Sequence, residues 1–181
     1  MGTRSRIGVM HGDVCKSVYC HWDGYLEHNG KLLQEHYDSS KANFLVALGD
    51  ISSLCKNINV PEDVEHSFEK PAEGITVFYG RDRGETGTEF RVDFTFEEFM
   101  KRVDGCGAEY YYIMKDGEWY VGDNYGSTPM SGRLVPLATA LYKDEPDSET
   151  QADLNETLGL DRNTPMEDLV AHIAELDGES A

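Results

Sequence analysis

No stretch of the 181-residue chain strings together the roughly twenty apolar residues that a membrane-spanning helix needs. Basic charge is also scarce. Sixteen Lys and Arg stand against 34 Asp and Glu, a formal charge of −18. Proteins that hold nucleic acid carry the opposite sign, because their affinity comes largely from neutralising phosphates, so direct nucleic-acid binding is not expected. Cysteine is limited to Cys15, Cys20, Cys55 and Cys106, too few for the disulfide framework of a small secreted domain. The opening MGTRSRIGVMHGD has no apolar h-region, and Arg6 stands where a myristoylation pattern needs Ser or Thr. These features lead to the expectation of a cytoplasmic protein with reduced thiols and no membrane partner. GxSxG, a Walker A loop, HExxH and a strand-linked GxGxxG are missing as well, so no catalytic residue is assigned and an enzyme is not the favoured reading. Cys15, Cys20 and His21 invite a zinc reading. On a strand, however, residues five apart point to opposite faces, so neither a metal nor another cofactor is expected.

The charge is unevenly spread. Residues 144–181 hold twelve acidic residues and one basic one, a net of −11, which leaves −7 for residues 1–143. The chain accordingly reads as a core domain over 1–143, followed by an acidic linker and a C-terminal amphipathic helix over 144–181. Thr164, Pro165 and Glu167 mark that helix's start, and Leu169, Val170, Ile173 and Leu176 its apolar stripe.

Within the core, Arg4–Met10 and Lys16–Trp22 alternate with period two around Gly12-Asp13, a two-residue hairpin turn. Opposed residues then sum to 25, so Arg6 faces Tyr19, Ile7 faces Val18 and Arg4 faces His21. Arg4, Arg6, Tyr19 and His21 share one face. Ile7, Val18, Cys20 and Trp22 share the other. Helices follow near Lys31–Tyr37 and Lys41–Leu48, and Asp50–Ser53 reads as a loop. Strands at Ile75–Tyr79 and Glu89–Phe94 are read as a hairpin whose charged loop is Gly80–Gly87. Thr95 and Glu98 form a capping box, with Phe94 and Phe99 at staple spacing. A last hairpin turns at Asp116-Gly117, pairing Met114 with Trp119 and Tyr112 with Val121. The fold class is α+β: an antiparallel sheet built from sequential hairpins, with helices largely on one face.

Two stretches carry candidate binding chemistry. In the first hairpin, Arg4 and Arg6 suit a phosphate or carboxylate through bidentate hydrogen bonds, with Tyr19 and His21 beside them. The exit YCHWDGY adds Trp22 and Tyr25 as a stacking surface and Asp23 as an acceptor. The second stretch is RDRGE, where Arg81 and Arg83 offer an arginine pair on a Gly-hinged loop. An enzymatic alternative uses His21 and Asp23 to cleave a nucleotide.

TRSRIGV, YCHWDGY, LGDISSL, YGRDRGE and DGEWYV together resemble a family of uncharacterised small accessory proteins encoded by tailed bacteriophages, over roughly residues 3–121. The resemblance carries no catalytic residue. It implies a counter-defence protein acting in the cytoplasm of the infected bacterial host. Joined to the arginines and aromatics, it leads to the expectation of a non-catalytic protein that sequesters a small anionic, nucleotide-type defence signal. The alternative is an acidic inhibitor of a basic host protein, in the extreme a DNA mimic. A homo-oligomer is compatible with either reading.

Overall fold

The computed structural model describes residues 2–143, with side chains through Leu141. The acidic linker and the helix beginning at Thr164 lie outside the described residues.

Two hairpins form the middle of the sheet. β1 (Ser5–His11) and β2 (Val14–Cys20) meet in the register read from the turn, with Arg6 opposite Tyr19 and Ile7 opposite Val18. Gly12 supplies the positive φ, 61°, that this two-residue turn requires. Because the turn sets the register, it also decides which side chains share a face. β6 (Tyr110–Lys115) and β7 (Glu118–Asp123) likewise pair Met114 with Trp119 and Tyr112 with Val121. Their turn residues Asp116 and Gly117 are both left-handed, the combination a type I′ turn demands.

The assembly of these hairpins departs from a purely antiparallel sheet. β1 lies parallel to β6, from Ser5 opposite Tyr110 to Val9 opposite Met114. β2 also has a parallel neighbour in β3 (Ile51–Ser53), reached through two helices that turn the chain back to run the same way. These helices are α1 (Lys31–His36), entered through a π-helical turn at Leu26–Gly30, and α2 (Ser39–Ala47). Asp38 caps α2, accepting the Lys41 N–H at 2.8 Å. The sheet is therefore mixed, though mostly antiparallel, and the protein is α+β.

The expected third hairpin does not form. β4 (Val77–Phe78) pairs with β3, in the stretch read as a loop. Tyr79–Arg83, inside the supposed hairpin loop, make one helical turn, α3, closed by Gly84 at φ 73°. β5 (Arg91–Asp93) instead takes the edge of β2, with Ser17 opposite Arg91 and Cys15 opposite Asp93. One edge of β2 thus serves two partners, β3 at one end and β5 at the other. β8 (Val135–Pro136) borders β7 and leads into α5 (Leu137–Lys143).

Alternation along the strands divides the core in two. Ile7, Val18, Cys20, Tyr112, Trp119 and Val121 pack under α1, α2 and the start of α5, through Leu33, Leu45 and Leu137. On the opposite face Cys15, Tyr111 and Ile113 pack under α4 (Phe96–Gly105), through Phe99 and Val103. Helices thus lie largely on one face, with α4 covering part of the other. Thr95 caps α4 by accepting the Glu98 N–H, and the Glu98 carboxylate accepts from Phe94 N–H. The staple is not made: Phe94 stays 65% exposed, while Phe99 packs on Phe96 and Tyr111.

Candidate anion-binding site

Arg6 and Tyr19 are cross-strand neighbours on the face that α4 covers incompletely. Beyond the last turn of α4 that face opens into a basin of about 440 Å³, lined by Arg6, Tyr19, Asp50, Arg91, Arg102 and Cys106. Arg6 comes from β1, Tyr19 from β2, Arg91 from β5 and Arg102 and Cys106 from α4 and its C-cap. Asp50 stands just before β3. Gly49 makes that placement achievable. Its φ is 90°, and a Cβ there would collide with the Thr88 carbonyl, which accepts the Asp50 N–H at 2.8 Å.

Arg6 is the unusual group. Only 3% of it is exposed. Its Nε donates to Ser17 Oγ at 2.8 Å and its Nη2 to the Ser17 carbonyl at 3.1 Å. Among the described residues no carboxylate forms an ion pair with it. Burial pushes its pKa down, opposed by the nearby Cys106 and Asp50 and reinforced by Arg102. The two other guanidiniums are fixed from behind. Arg102 grips Asp93 through Nε and Nη2 at 2.8–3.1 Å, and that pairing raises its pKa. Arg91 donates to the carbonyls of Glu89 and Gly87 at 3.0 and 3.1 Å. Held this way, the forks would lose little further freedom to a bound anion.

Among the lining residues Asp50 is the one carboxylate. Its Oδ1 accepts the Tyr19 N–H at 2.9 Å. Burial pushes its pKa up, against the Tyr19 N–H, Arg6 and Arg91, which pull it down. The Tyr19 hydroxyl lies 2.7 Å from His21 Nδ1, and the His21 ring meets Trp22 edge-on at 4.7 Å.

The residues singled out from sequence separate accordingly. Arg6 and Tyr19 line the basin. His21 sits one hydrogen bond away, on Tyr19. Arg4 does not line it; its Nη1 comes near Gly107, just past Cys106, where a Cβ would lie 3.1 Å away. Trp22, Asp23 and Tyr25 do not line the basin. Parity puts Trp22 on the core face, but β2 ends at Cys20. The indole, 44% exposed, packs against His21 and Gly2 instead. Asp23, at φ 55°, forms the corner, and Tyr25 is 37% exposed beside His28.

Arg81 and Arg83 do not line the basin either. Arg81 donates to the carbonyls of Ile58 and Thr76 and to Asp82, and stacks over Phe78, while Arg83 lies over Phe68. Asp82 is the hub of this cluster. Burial favours its neutral form, but hydrogen bonds from Arg81, the Phe78 N–H and His66 outweigh it and hold the carboxyl below its ordinary pKa. His66 Nδ1 accepts the Ala72 N–H, which leaves Nε2–H to donate to Asp82 at 3.2 Å. A depressed folded-state pKa contributes stability that is present above the unfolded value and lost as pH falls through the folded one. Asp82→Asn should therefore lower stability at neutral pH and flatten its decline below about pH 4. Urea midpoints measured from pH 7 to pH 3 check this. A variant that tracks the parent in parallel would refute it.

Asp50, Arg91, Arg102 and Cys106 are basin residues that sequence reasoning missed. Among the described residues no group of three metal-ligating side chains converges. Cys15 and Cys20 are buried in opposite faces of the sheet, and burial pushes their thiols up to about 12 and about 11. Thiols of that kind make poor nucleophiles at neutral pH.

No family model matches the chain, and the searches of curated proteins and of solved structures also give no match.

Proposed function

We propose that the protein is a non-catalytic binding module that holds a small anionic, nucleotide-type ligand in the Arg6 basin. The observation that carries this reading is the buried Arg6 guanidinium without a carboxylate partner among the described residues. Buried charges in proteins are normally paired, because an isolated one forfeits several kcal/mol of solvation. A bound anion would supply the missing partner, and Arg91 and Arg102 would complete a three-guanidinium cradle. Tyr19 on the wall suits the base of a nucleotide. Together with the resemblance to phage accessory proteins, this makes the role sequestration of a host-defence signal in the host cytoplasm. Sequestration works when the protein is abundant and its Kd lies well below the signal concentration.

The test is thermal unfolding with a panel of cyclic and NAD-derived nucleotides. A ligand at a hundred times its Kd stabilises the fold by about 2.7 kcal/mol, a rise of several degrees for a chain of this size. No shift with any member of the panel at high excess would remove the proposal.

A second reading, an acidic inhibitor of a basic host protein, draws on the net −11 of residues 144–181. It requires salt-sensitive capture of a host protein that weakens when those residues are deleted.

A further inference from the structure

The basin holds one feature that a site for simple anions would avoid. Asp50 faces the same space as Arg6, Arg91 and Arg102. Its carboxylate has one hydrogen bond among the described residues, from the Tyr19 N–H to Oδ1, and Oδ2 accepts none from them. The arginines attract an anion into the basin, and Asp50 repels any oxyanion that touches its wall. A ligand that satisfies both must be negative at one end and present a hydrogen-bond donor a few ångströms away.

We propose that Asp50 is a specificity-determining residue that selects phosphate esters carrying a sugar hydroxyl over bare inorganic anions. This inference rests on the anion reading of the basin and deepens it. The phosphate sits against the guanidiniums. A ribose hydroxyl donates to Asp50 Oδ2, which a carboxylate accepts through a charge-assisted bond. Discrimination comes from both directions. A hydroxyl completes the unserved carboxylate, whereas a bare phosphate leaves it unserved and adds like-charge repulsion. The backbone holds the carboxylate in this position. The Asp50 N–H is bound to the Thr88 carbonyl, its own carbonyl accepts the Tyr79 N–H, and its Oδ1 is tied to β2.

The experiment is calorimetric titration of the full chain with three probes: inorganic pyrophosphate, ADP and 2′,3′-dideoxy-ADP. Each is run on the parent protein, on Asp50→Asn and on Arg6→Gln. The Asp50→Asn side chain retains an acceptor for the Tyr19 N–H, and a melting curve checks that the variant folds. ADP should bind the parent at least tenfold more tightly than either other probe. Asp50→Asn should shrink both gaps to about threefold or less, the first chiefly by strengthening pyrophosphate and the second by weakening ADP. The inference falls if pyrophosphate or dideoxy-ADP matches ADP on the parent, or if Asp50→Asn leaves the ratios unchanged. The anion reading survives those results provided Arg6→Gln weakens every probe. If no probe binds the parent, this inference falls, and the anion reading is then decided by the nucleotide panel.

Discussion

Arg6→Met should abolish the proposed anion binding and leave the apo protein as stable as the parent or more so. The two halves of this expectation have one cause. Arg6 is almost wholly buried, and among the described residues no carboxylate forms an ion pair with it, Asp50 acting on it only at longer range. Keeping a guanidinium there costs several kcal/mol of lost solvation. Two hydrogen bonds to Ser17 offset part of that cost, at about 1.5–3 kcal/mol each for a charged donor. Methionine fills a similar volume without charge and adapts to irregular space. Removing the charge therefore returns about as much as the lost bonds take away. Binding has no such compensation, because the group that most needs an anion is gone. An affinity loss of a hundredfold or more is expected, roughly 2.7 kcal/mol. Calorimetry and thermal unfolding on the same preparations check both halves. A drop of about 3 kcal/mol in stability, well beyond the near-neutral exchange expected for a buried ion, would show Arg6 to be a structural strut. Unchanged affinity would remove it from the site.

The parts of the molecule legible in the sequence are those set by local chemistry. Gly12-Asp13 and Asp116-Gly117 each fix a hairpin register, and register alone brings Arg6 and Tyr19 to one face. The Thr95 cap and the helix that follows are also local. What could not be read is how separate pieces meet. The β1–β6 and β2–β3 pairs join strands far apart in sequence. Nothing in the spacing of Asp50, Arg91 and Arg102 announces that they converge on Arg6. Arg91 gets there only because β5 takes an edge of β2 that β3 leaves unused. α3 was hidden for a different reason. Five residues are too few to show a helical period, and its geometry depends on Asp82 bonding the Phe78 N–H. Trp22 shows the limit of parity, which stops informing once the strand ends.

The opposite face of the sheet should respond in the reverse way, and Trp119→Ala is the substitution that separates the two. Trp119 is 3% exposed in the cluster beneath α1 and α2. Its Nε1–H donates at 2.8 Å to the carbonyl of Tyr37, the residue that ends α1. Tyr37 in turn reaches through its hydroxyl to the Cys55 carbonyl and to Thr76 Oγ1, fastening the irregular stretch after β3. Truncation removes a large buried side chain from this corner, leaves a cavity and strands the Tyr37 carbonyl. Large-to-small changes of this kind cost about 3–5 kcal/mol. For a domain whose whole stability is about 5–15 kcal/mol, that is a major fraction, worth roughly 10 °C or more in Tm. Trp119→Phe keeps most of the volume and loses the hydrogen bond, so about 1–2 kcal/mol is expected. Neither change touches a residue that lines the Arg6 basin. At a temperature where the Ala variant is still folded, its affinity for an anion should match the parent's within about threefold, a difference below about 1 kcal/mol. Denaturant midpoints and titrations run in parallel decide it. A stability loss under about 1 kcal/mol for Trp119→Ala, far below the usual cost of such a truncation, would mean that this corner does not hold α1 to the sheet. A large affinity loss in the folded variant would mean that the two faces are coupled through the sheet rather than independent.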